Sequence, residues 1–209
     1  MNSSHRSDVK FIVGTDKQEI LGHQLLIEEY SPVFAAMFSN DFKEKGNGIV
    51  EIPDVSTEAF LEFLKYIYTL EISITKDNLA NIFYIASKYM VGDVKVKCLG
   101  EINTQNALKV LEDNFQSSRF EELEQKCLKV IKSDPIAVFQ SEDVGLLNVK
   151  NLEILLNENY ERCNEEDLRQ LVFDWRKCNK YENNFEVEKF SSGYSQQGIT
   201  RVAILGKYR

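Results

Sequence analysis

The apolar positions near the start of the chain alternate at Val9, Phe11 and Val13, and apolar character returns at Ile20 and Leu21 after the run Gly14-Thr15-Asp16-Lys17. Alternation on both sides of turn-forming residues predicts a β-hairpin over 8–23. The spacing then becomes helical. A helix is expected over 23–29, and Ser31 before Pro32 marks the start of a second. A serine oxygen caps the free N–H groups of a helix start, and proline fits the first helical position because the N–H it lacks has no helical partner there. This second helix presents Val33, Phe34, Met37 and Phe38 on one side.

The stretch 40–48 is polar, charged and glycine-containing, which predicts a surface loop, and 49–52 reads as a short strand closed by Pro53. Ser56 or Thr57 then caps a helix whose apolar face runs through Phe60, Phe63, Leu64, Ile67 and Tyr68, at helical spacing throughout. Thr75 is expected to open another helix, with Leu79, Ile82, Phe83, Ala86 and Met90 on its buried side.

Beyond Asp93 the periodicity is wholly helical. Successive faces are Ala107, Val110 and Leu111; Phe120, Leu123, Cys127, Val130 and Ile131; Leu152, Leu155 and Leu156; and Leu168, Leu171, Val172 and Trp175. Asp134 before Pro135 repeats the cap-plus-proline start. The tail changes character, with Ser191-Ser192-Gly193 and then β-branched residues and glycine from Gly198 to Leu205. The expected class is therefore α+β: a small sheet packed among helices, followed by an all-α region.

Charge and cysteine usage narrow the function classes. A formal net charge of −8 argues against broad binding to a phosphate backbone, which needs clustered Lys and Arg. Cys98, Cys127, Cys163 and Cys178 are far apart with no C-x-x-C pair, so reduced structural thiols are expected rather than a disulfide framework or a zinc site. The first residues lack an apolar leader and no run is long enough to span a membrane, which places the chain in the cytoplasm or nucleus. Only two histidines occur, His5 and His23, and no nucleophile elbow, phosphate loop, dinucleotide fingerprint or zincin motif is present. No catalytic residue, cofactor or metal is expected, and the chain does not read as an enzyme.

The order and spacing of Asp8-Val9, Gly22-His23, Ser31-Pro32-Val33-Phe34, Val50-Glu51-Ile52-Pro53-Asp54, Ala59-Phe60 and Tyr66-Ile67-Tyr68-Thr69 resemble the BTB/POZ domain. Weaker likenesses follow at Asn106-Ala107, Cys127 to Ile131 and Val172 to Trp175, which resemble the BACK domain. The tail resembles the closing stretch of a PHR sandwich, too short to build one, so it is expected as a lone strand, a fragment or a disordered end. The implied division is a flexible start (1–7), a BTB/POZ domain (8–95), a BACK-like helical domain (96–181) and a tail (182–209).

The resemblance implies a protein-interaction module rather than chemistry. In cullin-binding members a hydrophobic residue, any residue and then Glu stand before the third core strand, which implies that Phe42 enters a cleft on a cullin-3 scaffold. Glu44 and Tyr68 are implied as accompanying contacts. The alternative for Phe42 is a plug folded back on Phe38. Leu25, Leu26 and Ile27 are the expected dimer interface, with Leu26 matching a contact position of MATH-containing relatives. Asp8 and His23 are expected to hold strand and helix together through a polar contact. Gln24 stands where the family usually has a basic residue, which argues against a corepressor-peptide pocket.

Two functions are implied. One is an adaptor that docks a cullin-3 ubiquitin ligase and presents an unknown substrate. The other is a non-ligase scaffold or regulatory subunit that pairs with itself or another BTB protein and selects no substrate. Neither nucleic acid nor membrane is an expected partner.

Overall fold

The alternating start folds as expected into β1 (Val9–Val13) and β2 (Gln18–Gly22), paired antiparallel with Phe11 opposite Ile20. The computed structural model describes residues 7–39, 48–116, 119–159 and 161–179, and the backbone of 185–190 and 201–206. Gly14 makes the turn with φ +75, a region closed to most side chains. After the helices α1 (Gln24–Tyr30) and α2 (Pro32–Phe38), β3 (Ile49–Ile52) returns parallel to β1, giving the order β2-β1-β3. Val9, Phe11, Val13, Val50 and Ile52 all point into one core.

That core is aromatic. The Phe11 ring meets Phe34 edge-on at 5.6 Å and Phe60 at 5.1 Å, while Phe34 stacks on Tyr89 at 4.1 Å. Edge and offset contacts of this kind add to the burial of each ring. Ser31 organises the junction. Its Oγ accepts from the Phe34 N–H at 3.2 Å, as the N-cap pattern predicts, and donates to the Tyr89 carbonyl at 2.6 Å.

α3 (Thr57–Thr69) is capped by Ser56, whose side chain accepts from the Ala59 N–H, and it buries Phe60, Phe63, Leu64 and Ile67 as its periodicity predicts. The next helix differs from expectation. α4 spans Leu79–Lys88 rather than opening at Thr75, because Asn78 Oδ1 accepts from the Thr75 N–H and the segment 76–78 is a turn. Its far end is also displaced. Met90 adopts φ +57 beyond the helix and is 63% exposed, while Tyr89 takes the buried place. α5 (Gly92–Gly100) packs on α4.

The chain divides into two compact units at Glu101/Ile102. A boundary at 95/96 would cut α5, which belongs with the first unit. In the second unit, α6 (Ala107–Gln116), α7 (Glu121–Ser133), α8 (Pro135–Phe139), α9 (Val149–Asn159) and α10 (Glu165–Asn179) follow in order, with a 3-10 turn at Glu142–Leu146. The expected faces are buried, from Ala107 and Leu123 to Leu152 and Trp175, except that Phe120 and Val130 are only half-buried. Trp175 donates its indole N–H to the Leu147 carbonyl at 2.6 Å. The tail is not a lone strand: β4 (Phe185–Phe190) and β5 (Arg201–Gly206) pair antiparallel.

Candidate interaction surface

The start of α1 is held from three sides, and the reasons lie in Asp8, Gly22 and Tyr68. Asp8 precedes β1, and its carboxylate accepts from the Gln24 N–H at 2.8 Å, placing a negative charge at the helix start. Gln24 returns the contact, donating its side-chain amide to the Asp8 carbonyl at 3.0 Å. The expected Asp8–His23 contact is therefore replaced by an Asp8–Gln24 pair. The residue that departs from the family's basic position does structural service here.

Gly22 lets the helix come down onto the sheet. A Cβ at this position would stand 2.9 Å from Ile27 Cδ1 and 3.0 Å from Phe11 Cε2, closer than packed atoms tolerate. His23 then turns the other way. Its backbone N–H donates to the Tyr68 hydroxyl at 3.0 Å, and its Nδ1 lies 2.9 Å from the same oxygen. Burial pushes the Tyr68 phenol up, the His23 N–H opposes this, and the Asp8 carboxylate adds to it. The hydroxyl is accordingly kept protonated and tied within the fold. Tyr68 is half-buried, with its polar end engaged by His23, so its expected cullin contact is limited to what its ring leaves exposed.

This anchoring sets which side of α1 faces outward. Leu25 is 74% exposed and Leu26 43%, whereas Ile27 is fully buried. Ile27 is corrected from interface to core: at helical spacing its side chain falls on the face packed over Gly22. Leu21, in β2, is also exposed. Leu25 and Leu26 are thus exposed side by side in sequence on a helix whose start is fixed by Asp8 and Gly22.

Phe42 and Glu44 lie outside the described residues. The strand that follows them, β3, is paired to β1 from Lys10↔Ile49 onward.

Of the four cysteines expected as buried structural thiols, Cys163 is only half-buried and Cys178 is exposed. Cys98 and Cys127 are buried, and burial pushes both thiols up to about 12, which leaves them unreactive. No metal-holding group of His, Cys, Asp and Glu occurs among the described residues, and no described helix is long and apolar enough to cross a membrane. Two arrangements were missed by sequence reasoning. Asp54 receives hydrogen bonds from the Tyr84 hydroxyl and from Lys88 Nζ, the latter at 2.7 Å. Glu112, buried on α6, accepts from Gln116, Asn148 and Asn151. The spacing Asn148-x-x-Asn151 was the available signal for the second, since Asn148 also caps α9 by accepting from the Asn151 N–H at 2.9 Å.

The sequence profile of the BTB/POZ domain matches residues 1–106. BTB/POZ domain-containing protein 6-A of Danio rerio is 34% identical over 214 residues, covering 99% of this chain and 37% of the relative. BTB/POZ domain-containing protein 3 of Homo sapiens is 31% identical over 197 residues, covering 90% of this chain and 37% of the relative. The chain thus spans little more than a third of the curated relatives it matches. The BTB domain of human gigaxonin superposes with a TM-score of 0.41 at 19% identity, over 47% of this chain and 80% of that one.

Proposed function

The chain belongs to the BTB/POZ domain family, and from that membership we propose a non-enzymatic protein-interaction role in which the first unit pairs through α1 and docks a cullin-3 scaffold. The observation that carries the pairing is the outward set of Leu25 and Leu26 on a helix held by Asp8, Gly22 and Tyr68. A rigid apolar helix face loses little side-chain and backbone freedom when it meets a second copy or another BTB protein. Docking to cullin rests on the likeness of Phe42-Lys43-Glu44 to the motif of cullin-binding relatives. A large aromatic in an otherwise polar stretch of sequence is the kind of side chain that anchors interfaces. The second unit is read as a BACK-like extension that positions a substrate, with ubiquitin transfer left to the recruited ligase.

Isothermal titration with the N-terminal region of cullin-3 tests the docking. Micromolar or tighter binding that Phe42→Asp abolishes, with the melting transition unchanged, is the expected result. A well-folded chain that binds no cullin-3 rejects the adaptor reading in favour of a scaffold defined by its BTB partners. Loss of stability in Phe42→Asp instead identifies Phe42 as a plug.

A further inference from the structure

The second unit carries a basic groove that no part of the reading above uses. It is an open cavity of about 800 Å³ lined by Lys126, Leu128, Lys129 and Lys132 from α7, with Glu158 and Arg162 opposite. In a chain of net charge −8, four cations converge here against one carboxylate. Glu158 is already paired with Lys132. Arg162 is anchored by donating from Nη1 to the Lys132 carbonyl at 3.2 Å. Lys126 and Lys129 have no ion-pair partner among the described residues, and Lys126 is half-buried while Lys129 is exposed.

Helix polarity explains only part of this arrangement. α7 begins with Glu121, Glu122 and Glu124 and ends with Lys132, as the helix dipole favours. The dipole acts within the first and last turns, so it does not account for Lys126. Nor does it bring Arg162 from beyond the end of α9 to the same cavity. Lys126, Lys129 and Lys132 recur every third residue and span roughly 9 Å of helix. An extended peptide rises about 3.3 Å per residue, so about three residues pass along that span. Leu128 adds an apolar side chain to the same lining.

We infer that this groove docks a short acidic peptide segment of a partner protein, its carboxylates meeting Lys126, Lys129 and Arg162. A nucleic-acid backbone fits less well, because only four cations line the groove and Lys132 and Arg162 are already engaged within the chain, so few phosphates would be neutralised. The inference stands on the second unit alone and does not require cullin docking.

Fluorescence anisotropy of a labelled oligo-glutamate peptide with the full chain is the test. Saturable binding is expected, weakening as salt is raised and weakening about tenfold in the double variant Lys126→Glu, Lys129→Glu. The milder Lys126→Gln, Lys129→Gln pair should fall between, at unchanged melting temperature, and Lys17→Glu in the first unit should leave binding as it was. Absence of saturable binding, or equal binding by the charge-reversed chain, overturns the assignment. So does displacement of the peptide by a much lower concentration of single-stranded oligonucleotide of equal charge, which reassigns the groove to phosphate.

Discussion

The Tyr68 hydroxyl lies 3.0 Å from the His23 backbone nitrogen and 2.9 Å from His23 Nδ1, joining the end of α3 to the entry of α1. One oxygen thus satisfies a backbone donor at a helix start, where the helix itself offers none. Tyr68→Phe removes that partner while keeping the ring. The expected loss is about 1–2 kcal/mol in urea denaturation, since a part-buried N–H is left unpaired. If stability is unchanged while cullin-3 affinity falls, the hydroxyl is a direct contact and its tie to His23 is incidental.

Adjacent residues of α1 should separate folding from association. Ile27 is fully buried over Gly22, and Ile27→Ala is expected to cost about 2–4 kcal/mol through the cavity it leaves. Leu25 is 74% exposed, so Leu25→Asp should change stability by less than about 0.5 kcal/mol. Its effect belongs in light scattering, as a shift from dimer toward monomer. A dimer that survives Leu25→Asp combined with Leu26→Asp places the interface elsewhere.

These outcomes show where sequence pattern is informative and where it stops. The hairpin, the Ser31 cap and the α3 face follow from local chemistry: alternation, a serine oxygen within reach of Phe34, and apolar residues at helical spacing. Errors arose where one residue's tertiary setting decides. Ile27 shares an apolar run with Leu25 and Leu26, and only the approach permitted by Gly22 sends it inward. Met90 continues the α4 period in sequence, but the helix stops at Lys88 and a positive φ turns Met90 out while Tyr89 stacks on Phe34. Partners far apart in sequence, such as Glu112 and Asn148, leave no periodic trace at all.

Ser31→Ala tests the junction that the cap pattern revealed. The hydroxyl is fully buried and both accepts from Phe34 and donates to Tyr89. Removal combines a lost N-cap with a weakened buried carbonyl, for about 2 kcal/mol. Threonine retains the hydroxyl, so Ser31→Thr should recover part of the loss in thermal melting if its methyl group is accommodated.

The Asp54–Tyr84–Lys88 cluster predicts two opposite pH limits. Burial opposes ionisation of Asp54, but hydrogen bonds from Lys88 and Tyr84 outweigh it and hold the carboxyl below its usual range. Its contribution is present above the unfolded value of about 3.9 and is lost as pH falls through the lowered one. Tyr84 is pushed up from 10.0 to about 12, first by its bond to Asp54 and then by burial. The folded state favours the neutral phenol, so its contribution is complete below pH 10.0 and disappears as pH rises toward about 12. Denaturation midpoints of wild type and Tyr84→Phe should therefore converge across that alkaline window. A constant difference through it would show that the bond to Asp54 contributes nothing that titrates.

Glu112 offers the sharpest test of a buried charge in this chain. Its carboxylate is nearly inaccessible and accepts from four nitrogen donors: Gln116 Nε2, the Asn148 backbone and side-chain nitrogens, and Asn151 Nδ2, at 2.8 to 3.0 Å. Each of these partners donates, so the site demands an acceptor on both oxygens. Glu112→Gln keeps the size but turns one oxygen into an NH2 group that faces donors. It is expected to cost about 2–3 kcal/mol, and Glu112→Ala about 3–5 kcal/mol because all the amides then lose their acceptor. Asn148 couples this site to the cap of α9, so Asn148→Ala in the Glu112→Ala background should cost less than it does alone. Strictly additive losses in that double-mutant cycle would mean that Asn148 acts through its cap and that the carboxylate is held by the remaining donors.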